Sequence, residues 1–358
     1  MAYNEAVVKV ILVFMSALML FGGVSYFLLN KKTATFVTPK EVNSKSTINK
    51  STNNQDENDS SSLTIESMRK KSYPGSSIAI EQTLSASSSY NSYLVSYRSE
   101  NFKIYGLLTV PAGQKPPGGW PVILFNHGYI SPASYLTTSS YTIMVDPLAK
   151  AGFIVFIPDY RGNGNSEGTP QQPYVSPSYI TDSMNALNSI KNYKDANPQK
   201  IGVFGHSMGG NIALHEVVIT HDIKAAELIA GVVGNETDLA TWWDHRFATN
   251  SIIGNDLDTY YAFEKMIQDH GTSSKDSSYW NSIDPTQFLS FINAPIQIQV
   301  GSADEDVPVE FSSSLRDSLL KNGKTVDYQI YQGADHNLVP DTASAMNETI
   351  AFFKKYLE

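Results

Sequence analysis

Gly205-His206-Ser207-Met208-Gly209-Gly210 is the stretch on which the fold turns. It stands directly after the apolar run Ile201-Gly202-Val203-Phe204 and before Asn211 to Ile219, where apolar residues recur at helical spacing. A serine in a G-x-S-x-G frame between a strand and a helix sits on a turn so sharp that its backbone is strained and its hydroxyl stands clear of the sheet. Side chains two positions before or after it would strike the neighbouring strand and helix, which accounts for Gly205 and Gly209. Ser207 is therefore the candidate nucleophile. The backbone N–H of Met208, at the start of the helix, is a candidate donor to an oxyanion, because helix N-termini favour negative charge.

Outward from this turn, short apolar runs alternate with helical stretches. The runs are Val122 to Phe125, Ile154 to Ile157, Ile201 to Phe204, Gly231 to Val233, Ile296 to Val300 and Val326 to Tyr331. The helical stretches are Tyr179 to Tyr193, Asn211 to Ile219, Val309 to Leu320 and Thr342 to Tyr356. Continuous apolar strands between helices predict an α/β fold, with a mostly parallel twisted sheet covered by helices on both faces. Tyr93 to Tyr97 and Ile104 to Val110 read as a hairpin ahead of it, turning around Ser99, Glu100 and Asn101.

In such a sheet, function gathers at the carboxyl ends of the strands. After Val122 to Phe125 comes Asn126-His127-Gly128-Tyr129, which offers the backbone N–H of Tyr129 as a second oxyanion donor, with Gly128 permitting close approach. After Ile296 to Val300 comes Gly301-Ser302-Ala303-Asp304-Glu305-Asp306-Val307-Pro308. Asp304, just past the strand end, is the candidate to orient an imidazole, with Glu305 and Asp306 as local rivals. After Val326 to Tyr331 comes Gly333-Ala334-Asp335-His336-Asn337, which makes His336 the candidate general base. Serine, acid and histidine thus occur in the chain order that this kind of site uses. His206 and His127 are expected to support or line the site. His215, His221, His245 and His270 carry no motif, and no H-x-x-x-H spacing suggests a metal. Neither a metal nor another cofactor is expected.

The formal charge of −9 and the lack of clustered Lys and Arg argue against a nucleic-acid partner. The absence of cysteine excludes disulfides, thiolate nucleophiles and Cys-ligated zinc. Val10 to Leu29 is apolar apart from Ser16, Ser25 and Tyr26, long enough to span a bilayer's hydrocarbon core of about 30 Å. The domain reading is a membrane anchor (or signal sequence) over 1–32, a disordered polar tether over 33–72 and a catalytic domain over 73–358, with an insertion at about 235–284. The anchor implies a single-pass membrane protein, with the catalytic domain expected outside the cytoplasm.

These motifs together resemble the α/β-hydrolase superfamily, in particular the catalytic domains of the prolyl oligopeptidase family and dienelactone-hydrolase-like esterases. The resemblance covers about Tyr93 to Leu357. It rests on Asn126 to Gly128, Pro158 to Gly168, the Ser207 turn, Trp280 through Asp284-Pro285, Ala294-Pro295, the Gly301 to Pro308 loop and His336. It implies a serine hydrolase acting without cofactor on a small ester, or on a short peptide, through an acyl-enzyme at Ser207. A surface-anchored binding protein that has lost catalysis is the reading from another class, against which the intact set of candidate residues speaks. Two departures favour an esterase over a peptidase. No β-propeller precedes the domain in this sequence, and Met208 follows the serine where the peptidases often have an aromatic. Trp242, Trp243, Tyr260, Tyr261 and Phe263 mark the insertion as a helical cover expected to form the substrate pocket, and Pro158 to Gly168 is expected to shape the entrance.

Overall fold

A computed structural model describes residues 63–84, 87–171, 174–248 and 256–358. Among them no helix is long and apolar enough to cross a membrane. The expected anchor and most of the expected tether lie outside the described residues.

The chain opens with helix α1 (Ile65–Lys70), strands β1 (Ala79–Thr83), β2 (Tyr90–Ser99), β3 (Phe102–Pro111) and β4 (Trp120–Asn126), and helix α2 (Thr142–Lys150). It continues through β5 (Ile154–Pro158), α3 (Ser178–Lys191), β6 (Ala196–His206), α4 (Met208–Ile219) and β7 (Ala225–Ile229). Three helices follow, α5 (Glu236–Ala248), α6 (Asp256–His270) and α7 (Ser277–Ile283), then β8 (Ile296–Gly301), α8 (Val309–Lys321), β9 (Val326–Tyr331) and α9 (Thr342–Leu357). The strands form one sheet in the order β1-β2-β3-β5-β4-β6-β7-β8-β9. The first three strands and the β3–β5 pair run antiparallel, and every pair from β5 to β9 is parallel. The hairpin forms as expected, with Ser99 paired to Phe102 across Glu100 and Asn101.

The central strands are apolar at successive positions because both faces are covered. On β4, Val122 and Leu124 enter one core with Met184 of α3, Ile212 of α4 and Leu315 of α8. Ile123 and Phe125 enter the opposite core with Met144 and Leu148 of α2 and Phe353 of α9. Phe125 stacks on Phe204 of β6 at 4.3 Å between ring centroids. Each such fully buried side chain contributes about 1.5–3 kcal/mol through removal of apolar surface from water. The two-layer covering holds β4 and β6 in register, so that Asn126 and Gly205 end side by side.

Three expectations are corrected. The apolar strand read at Gly231 to Val233 is loop, and the strand is β7, just ahead of it in the chain. The buried carboxyl of Glu227, which accepts from Gln299 Nε2 at 3.2 Å, interrupts the apolar pattern that would have marked it. Ala230, at φ 48°, turns the chain out of the sheet, and Val232 N–H then bonds the Ser207 carbonyl at 3.0 Å. The tether does not run to residue 72, because α1 buries Ile65 and Met68 in the core while Thr64 accepts the Ser67 amide as its N-cap. The insertion is helical as expected, and Trp242 packs edge-on to Phe311 at 5.8 Å. Its described residues do not line the cavity beside Ser207.

Candidate active site

Ser207 occupies the turn between β6 and α4 with φ 56° and ψ −122°, a region that L-residues rarely adopt. The backbone is held there from both sides: Ser207 N–H bonds the Ile229 carbonyl at 3.0 Å, and the Ser207 carbonyl accepts from Gly210 at 2.9 Å. The flanking glycines are required by contact. A Cβ on Gly205 would strike the Gly209 carbonyl oxygen, and one on Gly209 would strike the Asn126 carbonyl oxygen. Met208, buried, begins the helix, so its amide belongs to the uncapped N-terminal turn beside the serine.

Asp304 and His336 are brought together from two loops. The Asp304 carboxylate lies 2.9 and 3.1 Å from His336 Nδ1, with its side chain fully buried and that of His336 13% exposed. Asp304 Oδ1 also accepts the amides of Asp306 and Val307, each at 2.9 Å, which fixes the carboxylate's direction. The two loops are tied by Ala303 N–H to the Ala334 carbonyl at 2.9 Å and by Gly333 N–H to Ser302 Oγ at 2.8 Å. Asp335 accepts the amides of Asn337 and Val339, closing the loop that carries His336. Glu305 and Asp306 are exposed. Asp304, Asp306 and His336 present ligand atoms within 4.8 Å of one another, close enough for a metal ion. The carboxylate of Asp304 and Nδ1 of His336 already engage each other, so two of these three groups are spoken for.

Ser207 and His336 line one cavity of about 250 Å3, whose wall also includes Gly128, Tyr129, Tyr141, Met144 and His206. Gly128 abuts the serine: a Cβ added there would lie 2.9 Å from Ser207 Cβ and 2.7 Å from Tyr141 Oη. Upstream, the end of β4 is anchored by Asn126, which donates to Glu216 Oε2 at 2.7 Å and accepts from Ser183 Oγ at 2.6 Å. Burial raises the Glu216 carboxyl to about 7, a shift that its hydrogen bonds only partly oppose. His127 is sandwiched between the rings of Tyr135 and Tyr160, at 4.5 and 4.4 Å, and burial lowers its pKa to about 4.

The loop after β5 does not line this cavity. It braces the segment that does, because Asp159 accepts from Tyr135 Oη at 3.0 Å and Thr137 Oγ1 at 2.6 Å. Its base is locked by Arg161, which donates to Asp182 through Nε at 3.0 Å and Nη2 at 2.7 Å. Beyond Tyr129, the segment between β4 and α2 was not singled out by sequence reasoning. The signal was present: Tyr129-Ile130-Ser131-Pro132-Ala133-Ser134-Tyr135-Leu136-Thr137-Thr138-Ser139-Ser140-Tyr141 is long and rich in hydroxyls for a plain strand-to-helix turn.

A family described as having the alpha/beta hydrolase fold matches residues 121–263, the stretch that carries β4, the Ser207 turn and the start of the insertion. The chain has the α/β-hydrolase fold. Among its relatives is the "Uncharacterized peptidase YtmA" of Bacillus subtilis (strain 168), 24% identical over 248 residues, covering 69% of this chain and 87% of that one. Among solved structures, this chain is similar to an acetyl xylan esterase from Paenibacillus sp. R4, with a TM-score of 0.60 at 18% identity over 82% of this chain and 92% of that one. A puromycin-hydrolyzing peptidase of Mycobacterium tuberculosis also has a TM-score of 0.60 at 18% identity, over 76% of this chain and 40% of that one.

Proposed function

We propose that this chain is a serine hydrolase that cleaves a carboxylic ester through an acyl-enzyme at Ser207, without cofactor. The observation that carries the proposal is the His336–Asp304 pair at 2.9 Å on the wall of the cavity that Ser207 also lines. Asp304 holds Nδ1 protonated, which leaves Nε2 as the basic nitrogen. Ser207 Oγ attacks the ester carbonyl carbon while its proton passes to His336 Nε2, and the backbone N–H groups of Tyr129 and Met208 receive the charge that develops on the carbonyl oxygen. The C–O bond to the alcohol then breaks, and His336 returns the proton to that alcohol. Water repeats the sequence on the acyl-enzyme, giving the carboxylic acid and free Ser207.

The lining of the cavity favours an uncharged substrate. Gly128, Tyr129, Ile130, Ile143 and Met144 face it, and no Asp, Glu, Lys or Arg is among its described lining residues. Two of the lining side chains, Tyr129 and Ile143, are exposed apolar groups that an uncharged substrate could cover. A peptide with a charged terminus would leave that charge without a partner there. The second reading, a peptidase on short peptides, draws on the similarity to proteins named as peptidases. A panel of p-nitrophenyl esters and aminoacyl p-nitroanilides separates the two. Turnover of acetyl to hexanoyl esters without turnover of the anilides is expected; faster cleavage of the anilides would replace the esterase reading with the peptidase one.

We also propose that Val10 to Leu29 anchors the chain in a membrane, with the catalytic domain outside the cytoplasm, on the strength of its length and apolar composition. Retention in the membrane pellet after carbonate washing, with the domain open to external protease, is the expected result. Release by the wash would exclude an anchor.

A further inference from the structure

Two side chains beside the serine join loops that must be placed independently for the proposed chemistry. Gly128 N–H donates to Tyr141 Oη at 2.7 Å, Tyr141 Oη lies 3.2 Å from His206 Nδ1, and His206 Nε2 lies 3.3 Å from the carbonyl oxygen of His336. The hydrogens in this chain can be assigned from chemistry alone. A carbonyl oxygen only accepts, so Nε2 of His206 carries the proton and Nδ1 is the acceptor. Tyr141 Oη, which accepts from Gly128, has its single hydrogen available for Nδ1. Every donor thereby meets one acceptor, in one direction from residue 128 to residue 336. Burial and the neighbouring His336 lower the His206 pKa to about 3, so the ring stays neutral and keeps this arrangement across the ordinary range.

We propose that Tyr141 and His206 are positioning residues that couple the oxyanion loop to the loop of the general base. The proposal rests on the serine-hydrolase reading for its catalytic meaning. Tyr141 occupies the amide of Gly128 and fixes that peptide plane, which sets the course of the chain into Tyr129 on the cavity wall. His206 pins the backbone of His336 from below while Asp304 holds its ring. The last two contacts are long, so their contribution is to placement more than to binding energy. Placement matters at this scale, because a displacement of about 1 Å can cost about 100-fold in rate.

The test combines a spectroscopic and a kinetic arm. Long-range 1H–15N spectra should show His206 as the neutral Nε2–H tautomer between pH 8 and pH 5. The Nδ1–H tautomer, or an imidazolium at pH 6, overturns the relay whether or not the chain hydrolyses anything. In steady-state hydrolysis of p-nitrophenyl acetate, Tyr141→Phe should lower kcat about tenfold with KM within about twofold and an unchanged melting temperature. His206→Asn places an acceptor at the Nδ1 position, and His206→Gln places a donor at the Nε2 position. Each breaks the relay at one point while keeping the other contact, and should cost about as much as Tyr141→Phe. Because the two residues act in series, the Tyr141→Phe/His206→Asn double variant should be no slower than the slower single one. Multiplying effects, or a kcat for Tyr141→Phe within twofold of the parent, would refute coupling. Absence of any turnover by the parent, with the tautomer as assigned, would instead refute the hydrolase reading and leave the structural link standing.

Discussion

Replacing Asp304 with asparagine isolates the electrostatic part of the proposed mechanism. The amide keeps the shape of the carboxylate, and its oxygen can still accept from the amides of Asp306 and Val307, so the loop should hold. Two things change at His336. The carboxylate that would stabilise an imidazolium is lost from a fully buried position 2.9 Å from Nδ1. At an effective dielectric of about 20 and a charge separation of about 4 Å, that attraction is about 4 kcal/mol, which corresponds to about 10^3-fold in kcat. The side-chain amide of the variant can also donate to Nδ1, which favours the tautomer with the proton on Nε2, the wrong nitrogen for accepting from Ser207. In other serine hydrolases this adds to a total of about 10^4-fold. The expected result for Asp304→Asn is therefore a fall of about 10^3- to 10^4-fold in kcat for p-nitrophenyl acetate, with KM little changed and thermal stability retained. Asp306→Asn, at an exposed side chain, serves as the comparison and should cost less than about threefold. A fall smaller than tenfold for Asp304→Asn, or a larger one for Asp306→Asn, would refute the assignment of the acid.

Gly128→Ala should lower kcat by about 100-fold with the fold intact, since the new methyl group meets Tyr141 Oη at 2.7 Å and Ser207 Cβ at 2.9 Å and must push the loop that carries Tyr129 away; activity above a tenth of the parent value would show that this loop need not sit so close. Glu216→Gln tests the buried carboxyl behind β4. Its pKa is raised to about 7 in the folded chain, so the folded state holds a proton that the unfolded state releases near 4.5. That mismatch costs stability increasingly as pH rises from about 4.5 to 7, up to about 3 kcal/mol. The glutamine variant escapes it, so its stability relative to the parent should improve between pH 5 and pH 8, as read from urea midpoints. A difference that is constant with pH would show that Glu216 is ionised in the folded state.

The parts of this chain that were legible in its sequence are those in which one residue type is the sole physical solution. Gly205 and Gly209 could be read because no side chain fits against Gly209 or Asn126. The parallel strands β4, β5, β6 and β8 could be read because coverage on both faces demands unbroken apolar runs. Where burial is polar, the pattern fails. Glu227 conceals β7 by placing a buried carboxyl in its middle, where burial pushes its pKa well above the ordinary carboxylate value, and α1 is concealed because Ile65 and Met68 alone carry its apolar face within a polar stretch. His336, Asp304 and Ser207 were marked by their places at strand ends, and the contact of Asp304 with His336 is a matter of loop geometry that spacing alone left open among three carboxylates. Tyr135, Thr137 and Tyr141 could not be ranked from sequence. Their roles depend on partners at Asp159, Gly128 and His206, which the fold brings in from elsewhere in the chain.

Covalent labelling by a fluorophosphonate, followed by mass spectrometry of the peptide that contains residue 207, tests the proposed nucleophile directly. A single adduct on Ser207 and no adduct in Ser207→Ala are expected. Labelling that persists in Ser207→Ala, or a parent protein that stays unlabelled while its fold is intact, would contradict that assignment.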